Sequence, residues 1–219
     1  MLPGRGRDPG GRTARADLHG PEGGTDAPVP PEHHRGGEDV SGEPDLPTRR
    51  RAIRVLEGGR ARIDELLDRL PRAALGLPGL GGGSWSPKDL LGHLTSWEEF
   101  ALDALEAWDR GERAPIDELQ FTVSTSRINA QNVERKAAWS YARVRREAER
   151  THERLLATIG GLSDARWRAP ATPRGRRPLG ARLGAILGGP AGPFRHDEAH
   201  LRSLAAFVAD HGGRVGAAP

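Results

Sequence analysis

The stretch 86-SPKDLLGHLTSWEEFALDALEAWDRG-111 decides the fold. Ser86 stands where an N-cap belongs, Pro87 at the first helical position, and Asp89 three residues on completes a capping box. Leu90, Leu94, Trp97, Ala101, Leu105 and Trp108 then recur at three- and four-residue steps, and Gly111 supplies a stop. The spacing predicts an amphipathic helix more than six turns long. One residue departs from its pattern: His93 falls three residues after Leu90 and four before Trp97, on the stripe that should be apolar.

Working outward, the same period recurs on both sides. Ile53, Leu56, Ile63, Leu67 and Leu70 predict an earlier helix from about Pro47 to Leu70, its stripe interrupted at Arg60. A Gly/Pro-rich connector, PRAALGLPGLGGGSW, joins it to the helix at Ser86. Residues 112–139 read as a loop followed by a short helix around RINAQNVERKAAW. Ser140 caps a third long helix carrying Val144, Ala148, Leu155 and Ile159, which stops at GGLS. A polar Arg/Pro-rich loop and a short helix in LGARLGAILGG follow. After GGPAGP, Pro193 is placed to begin the final helix, which closes at Gly212-Gly213. Strand signals are nearly absent. Four principal helices, the last of them broken, predict an all-α four-helix bundle over residues 47–211.

Residues 1–46 are rich in Gly, Pro, Arg, Asp and Glu without a period of 2 or 3.6, and read as a disordered tail; residues 212–219 read as a disordered C-terminal end. His19, His33 and His34 in the tail lack a scaffold for a fixed metal site. The chain of 219 residues has no cysteine, which removes disulfides, thiolate ligands and a cysteine nucleophile and fits a cytoplasmic setting. No apolar run approaches the ~18 residues of a membrane span, so no membrane partner is expected. The pI near 10.1 suggests nucleic acid, but the net charge is only +3 and arginine, with its very high pKa, inflates the pI. Arginines in YARVRREAERTHERLL alternate with Glu147, Glu149 and Glu153, giving pairs such as Arg143–Glu147 on a salt-bridged outer face. Nucleic-acid binding is therefore disfavoured.

A bundle brings distant inward faces together, which gives polar residues on apolar stripes their meaning. His196 and His200 lie one helical turn apart, with Leu204 continuing their face. Two such imidazoles can share an ion with a third from a facing helix, leaving positions open for water and substrate. The alternatives stand beside this: an H-x-x-x-H pair often arises by coincidence, His196 falls in a first turn where it can simply be exposed, and a lone His93 is more often a buried residue bonded to a carbonyl. His152 is a further inward candidate at a stripe edge. Glu98 or Glu99 can accept from an imidazole N–H or shuttle a proton, or can be a charged helix flank. Trp97, with Trp108 and Trp139, can wall an apolar pocket near His93 or can be core.

SWSPKDLLGHLTSWEEF, NAQNVERKAAWS, THERLLATIGGLS and LGAILGGPAGPFRHDEAH together resemble the DinB-like superfamily, and within it the ClbS/DfsB group, over about Pro47 to Val208. The resemblance implies a DinB-like four-helix bundle holding a divalent metal, zinc or nickel, on one histidine of the second helix and an H-x-x-x-H on the last. These match His93, His196 and His200, with Trp97, Glu98 and His152 as pocket or outer-layer residues. It implies a small-molecule substrate or ligand, and hydrolysis or transfer of a low-molecular-weight thiol in detoxification or self-protection, by a monomer or homodimer. Not every ClbS-like member keeps the three histidines, so the group also admits a metal-free bundle that only binds its ligand. This chain departs from many relatives in the GGPAGP break before the last pair, which can turn His196 away from His93.

Overall fold

Eight helices carry the fold of a computed structural model that describes residues 46–212: α1 (Arg49–Asp68), α2 (Pro87–Asp109), α3 (Pro115–Thr122), α4 (Thr125–Lys136), α5 (Tyr141–Gly161), α6 (Asp164–Arg168), α7 (Leu179–Ile186) and α8 (His196–His211). Apart from their boundary residues Leu46 and Gly212, the expected tail and C-terminal end lie outside the described residues. The described residues form no strand, only isolated bridges at Pro170–Pro178 and Gly189–Gly192. The four long helices, α1, α2, α5 and α8, make the bundle: α2 packs along α5, and α1 lies against both α8 and α5.

Local chemistry sets the ends of these helices. Ser86 and Asp89 form the expected capping box: the Asp89 N–H donates to Ser86 Oγ (3.2 Å), and the Ser86 N–H donates to Asp89 Oδ2 (3.0 Å). Ser140 caps α5 in the same way through the Arg143 N–H. Thr48, Ser124 and Ser163 cap α1, α4 and α6. The connector before α2 is glycine-rich because Gly79, Gly81 and Gly82 all adopt positive φ (118°, 63° and 78°). That turn lets Trp85 C=O accept from the N–H groups of Gly79 (3.1 Å) and Leu80 (2.9 Å), which folds Trp85 back over α2.

Three segments differ from the sequence expectation. The stretch after Gly111 holds two short helices, α3 and α4, where one was expected, and α6 interrupts the Arg/Pro-rich loop. The last helix starts at His196 and not at Pro193, because Phe194 takes φ 63°, a left-handed conformation no helix accepts. Its side chain is buried and stacks on Trp167 with ring centroids 5.8 Å apart. On the outer face of α5, Arg143 does not hold Glu147. Its guanidinium lies over Trp139, 3.9 Å from the ring centroid, while Glu147 takes Arg150 and Glu149 takes Arg145.

The interior divides into two apolar clusters. One gathers Leu56, Ala101, Leu105, Leu155, Ile159 and Trp167; the other gathers Ile63, Leu67, Leu90, Leu94, Ala148 and Leu204. The helices α1, α2 and α5 pass from one cluster to the other through a short polar waist, and α8 begins beside it. Arg60 lies between Leu56 and Ile63, His152 between Ala148 and Leu155, and Asp197 just before His200 and Leu204. The functional candidates sit in this waist.

Candidate metal centre

His93 is 1% exposed, placed by the regular period of α2 and fixed by the capping box that sets the helix's start. α8 presents His196 and His200 one turn apart on the face toward it. His93 Nε2 lies 3.1 Å from His196 Nε2, and His196 Nε2 lies 3.4 Å from His200 Nε2. All three ligand nitrogens fall within 4.8 Å of one another. Among the described residues this is the cluster of His, Asp or Glu side chains suited to a cation. The GGPAGP break therefore does not turn His196 away. Gly189 and Gly192 bridge to each other, the His196 N–H donates to Leu187 C=O (3.2 Å), and the chain returns α8 to the bundle with its first residue facing α2.

The electrostatics of the site favour neutral rings. Burial pushes the His93 imidazole well below the usual value of 6.5, with His196, His200 and Lys136 adding repulsion. His196 is pushed down to about 4, first by burial and then by His200, with Asp197 partly offsetting the shift. Burial also lowers His200, against the pull of Asp197. Three imidazoles neutral at pH 7 have lone pairs to offer, and a nitrogen–metal bond of about 2.0–2.1 Å places two nitrogens of one tetrahedral ion about 3.3–3.4 Å apart. The 3.1 and 3.4 Å separations are close to that spacing. The three histidines fit a divalent ion.

Aromatic rings bound the cluster. Trp85 lies 4.9 Å from the His93 ring centroid, and Trp97 lies 6.5 Å from His93 and 5.9 Å from His196. The Trp97 indole N–H donates to Asn129 Oδ1 (3.1 Å), which fixes the ring from α4. Trp108 and Trp139 stand elsewhere: Trp108 lies in the cluster with Leu105 under Arg182, and Trp139 lies beneath Arg143. Trp85 was missed in the sequence because it sits in a connector without a period, and only the glycine turn brings it to His93.

Glu98, Glu99 and His152 are brought to other partners. Glu98, 4% exposed, accepts from His152 Nδ1 (2.6 Å) and lies 3.2 Å from Arg60 Nη2. Arg60, 5% exposed, donates through Nε to Asp197 Oδ2 at 3.0 Å. Burial opposes the Arg60 charge, and Asp197 and Glu98 more than offset it, so the guanidinium is held more firmly charged than usual. Glu99 pairs with Lys136 (2.8 Å) and Arg135 (2.7 Å), tying α4 to α2. Among the described residues no carboxylate hydrogen-bonds a ring of the triad, and His93 Nδ1 is buried without a partner. Arg60 and Asp197 were not singled out by spacing, although the break in the α1 stripe at Arg60 was the visible signal.

A profile of the DinB superfamily matches residues 55–214 of the chain. Among solved structures, an uncharacterised protein from Escherichia coli UTI89 aligns with a TM-score of 0.58 at 11% identity, covering 74% of this chain and 94% of its own. The colibactin self-resistance protein ClbS, solved in complex with a dsDNA, aligns with a TM-score of 0.58 at 12% identity, covering 77% of this chain and 98% of its own. At these identities the likeness is one of fold. No curated protein matches the chain. No helix among the described residues is long and apolar enough to cross a membrane.

Proposed function

The chain belongs to the DinB superfamily, and from that premise we propose that it is a metal-dependent protein acting on a small molecule, with His93, His196 and His200 as the ligands. The observation that carries this is the meeting of three imidazoles from two helices, His93 buried and His196 and His200 half-buried, at 3.1 and 3.4 Å. When bound, a divalent ion, zinc or nickel, supplies Lewis acidity toward a substrate or toward water. The chain's own residues hold that chemistry in place. His93, His196 and His200 would hold the ion, and Trp85 and Trp97 give the site apolar walls.

With no cysteine in the chain, any thiol nucleophile comes from outside. The nucleophile is water in a hydrolysis, or a low-molecular-weight thiol transferred onto an electrophile, and either would serve detoxification or self-protection. Metal analysis of untagged protein tests the reading. About one zinc or nickel ion per chain in the wild type and none in His93→Ala supports it; a wild type that takes up neither ion overturns it. A panel of esters and of chromogenic electrophiles, with and without added thiol, then separates hydrolysis from transfer.

A second reading, binding without turnover, is favoured by one observation: among the described residues Glu98 is committed to His152 and Arg60, Asp197 is committed to Arg60, and no carboxylate hydrogen-bonds the triad. It predicts stoichiometric ligand binding by metal-loaded protein with no product in either assay.

A further inference from the structure

The histidine of α2 is not the only polar residue on an apolar stripe. Arg60 breaks the α1 stripe between Leu56 and Ile63, is 5% exposed, and lies at the centre of a chain of contacts that visits every helix of the bundle. From α1 it donates to Asp197 of α8 (3.0 Å) and faces Glu98 of α2 (3.2 Å), and Glu98 in turn holds His152 of α5 (2.6 Å). The helix backbones are close at this level. A Cβ on Gly59 would stand 3.1 Å from Asp197 Cβ, so glycine beside Arg60 is what lets the first turn of α8 approach α1.

This matters because the start of α8 has no side-chain cap. Its N-cap is Arg195, which makes no side-chain capping bond, and the residue before that is Phe194 at φ 63°. The first helical residue is His196 itself. Without that cap the first turn relies on other partners: the His196 N–H takes Leu187 C=O (3.2 Å), Arg195 pairs with Glu198 (3.1 Å), and Asp197 ties the turn to α1. Asp197, one residue on, accepts from Arg60 Nε, and Arg60 in turn lies against Glu98 and Glu98 against His152.

We infer that Arg60 is the positioning residue of the triad: through Asp197 it fixes the first turn of α8 so that His196 meets His93, and Glu98 with His152 holds Arg60 in place. This rests on the metal site proposed above for its consequence, but not for its geometry. A dispensable ion pair would leave the triad intact when removed; a positioning residue would not.

The test compares Arg60→Met with Asp197→Asn, which keeps side-chain size should Arg60→Met fold poorly. The control is Ile159→Ala, a core truncation two turns beyond His152, chosen for its general loss of melting temperature. Zinc titration by calorimetry should show at least a tenfold rise in Kd in Arg60→Met and Asp197→Asn, and wild-type Kd in Ile159→Ala. In metal-free protein, the ring-to-ring nuclear Overhauser contact between His93 and His196 should be present in the wild type and the control, and lost in both network variants. Retention of that contact together with wild-type Kd in both network variants overturns the inference. If the wild type binds no zinc, the metal reading fails by itself, and the His93–His196 contact alone decides whether Arg60 positions the helix.

Discussion

At the scale of a residue, a histidine on an apolar stripe is either a satisfied core side chain or a ligand, and its ring nitrogens tell the two apart. A core histidine bonds a carbonyl or a hydroxyl. His93 does neither: its Nε2 faces His196, and its Nδ1 has no partner. His152 shows the opposite case, with Nδ1 spent on Glu98. His93→Ala and His200→Ala should each abolish metal binding in a calorimetric titration, while His152→Ala leaves a measurable site. The pH dependence follows from the same burial. For ordinary imidazoles metal affinity falls through about 6.5, because only the neutral ring coordinates. With His196 pushed down to about 4 and its two neighbours also lowered, the neutral form persists to lower pH. Binding should therefore survive at pH 6 and fail as pH drops toward about 4. Stability of the metal-free protein should move with the same sign. The unfolded chain takes up protons near 6.5 while the folded His196 does not until about 4, so stability is fully present above 6.5 and declines across that window. Urea midpoints measured from pH 7 to pH 4.5 should fall less steeply in His196→Ala than in the wild type. A pair at i and i+4 and a stripe histidine were legible in the sequence as candidates. Their meeting was not readable from spacing, because the angle between α2 and α8 is set by packing; only the family resemblance implied it.

At the scale of the element, legibility followed how local the determining forces were. The start of α2 was readable to the residue, since Ser86, Pro87 and Asp89 act on their own backbone. Ser86→Ala removes the acceptor of the Asp89 N–H and should cost about 1 kcal/mol, read as a lower urea midpoint. The start of α8 was misplaced at Pro193, because the local preference of proline for a first helical turn yields to Phe194. That ring is wanted in the core, against Trp167 and α7, and the backbone takes a left-handed turn to deliver it. Short α6 and α3 escaped notice for the same reason: their one buried side chain each, Trp167 and Ile116, gives no period to detect. The helix α7 shows how much such contacts demand. A Cβ on Gly180 would lie 2.3 Å from Trp167 Cε2, and one on Gly184 would lie 2.7 Å from Phe194 Cε2. Two glycines one turn apart thus open one face of α7 to two aromatic rings. Gly180→Ala should cost about 1–3 kcal/mol by overpacking, although alanine is the better helix former, and a thermal melt would show it.

At the scale of the whole molecule, the polar waist is the feature that no single helix discloses. Arg60, His93, Glu98, His152 and Asp197 each look like a flaw in an otherwise apolar stripe. Only the bundle topology shows that the flaws share one level, between the two hydrophobic clusters. Buried ion pairs are weak contributors to stability, because desolvation of both partners offsets much of their attraction. Apolar residues of similar size often serve a core as well, so the waist draws its interest from the site beside it. An ion held by His93 of α2 and by His196 and His200 of α8 would bridge two helices that otherwise touch little, α8 leaning chiefly on α1. Binding to the folded chain alone then stabilises it by about 2.7 kcal/mol at a free-ion concentration a hundredfold above Kd. For a domain of this size that is a rise of roughly 5–10 °C in melting temperature. Differential scanning calorimetry with buffered zinc should show the rise in the wild type, growing with the logarithm of free zinc, and none in His200→Ala. An equal rise in His200→Ala would place the stabilising ion at some other site and remove the link between the waist and the triad.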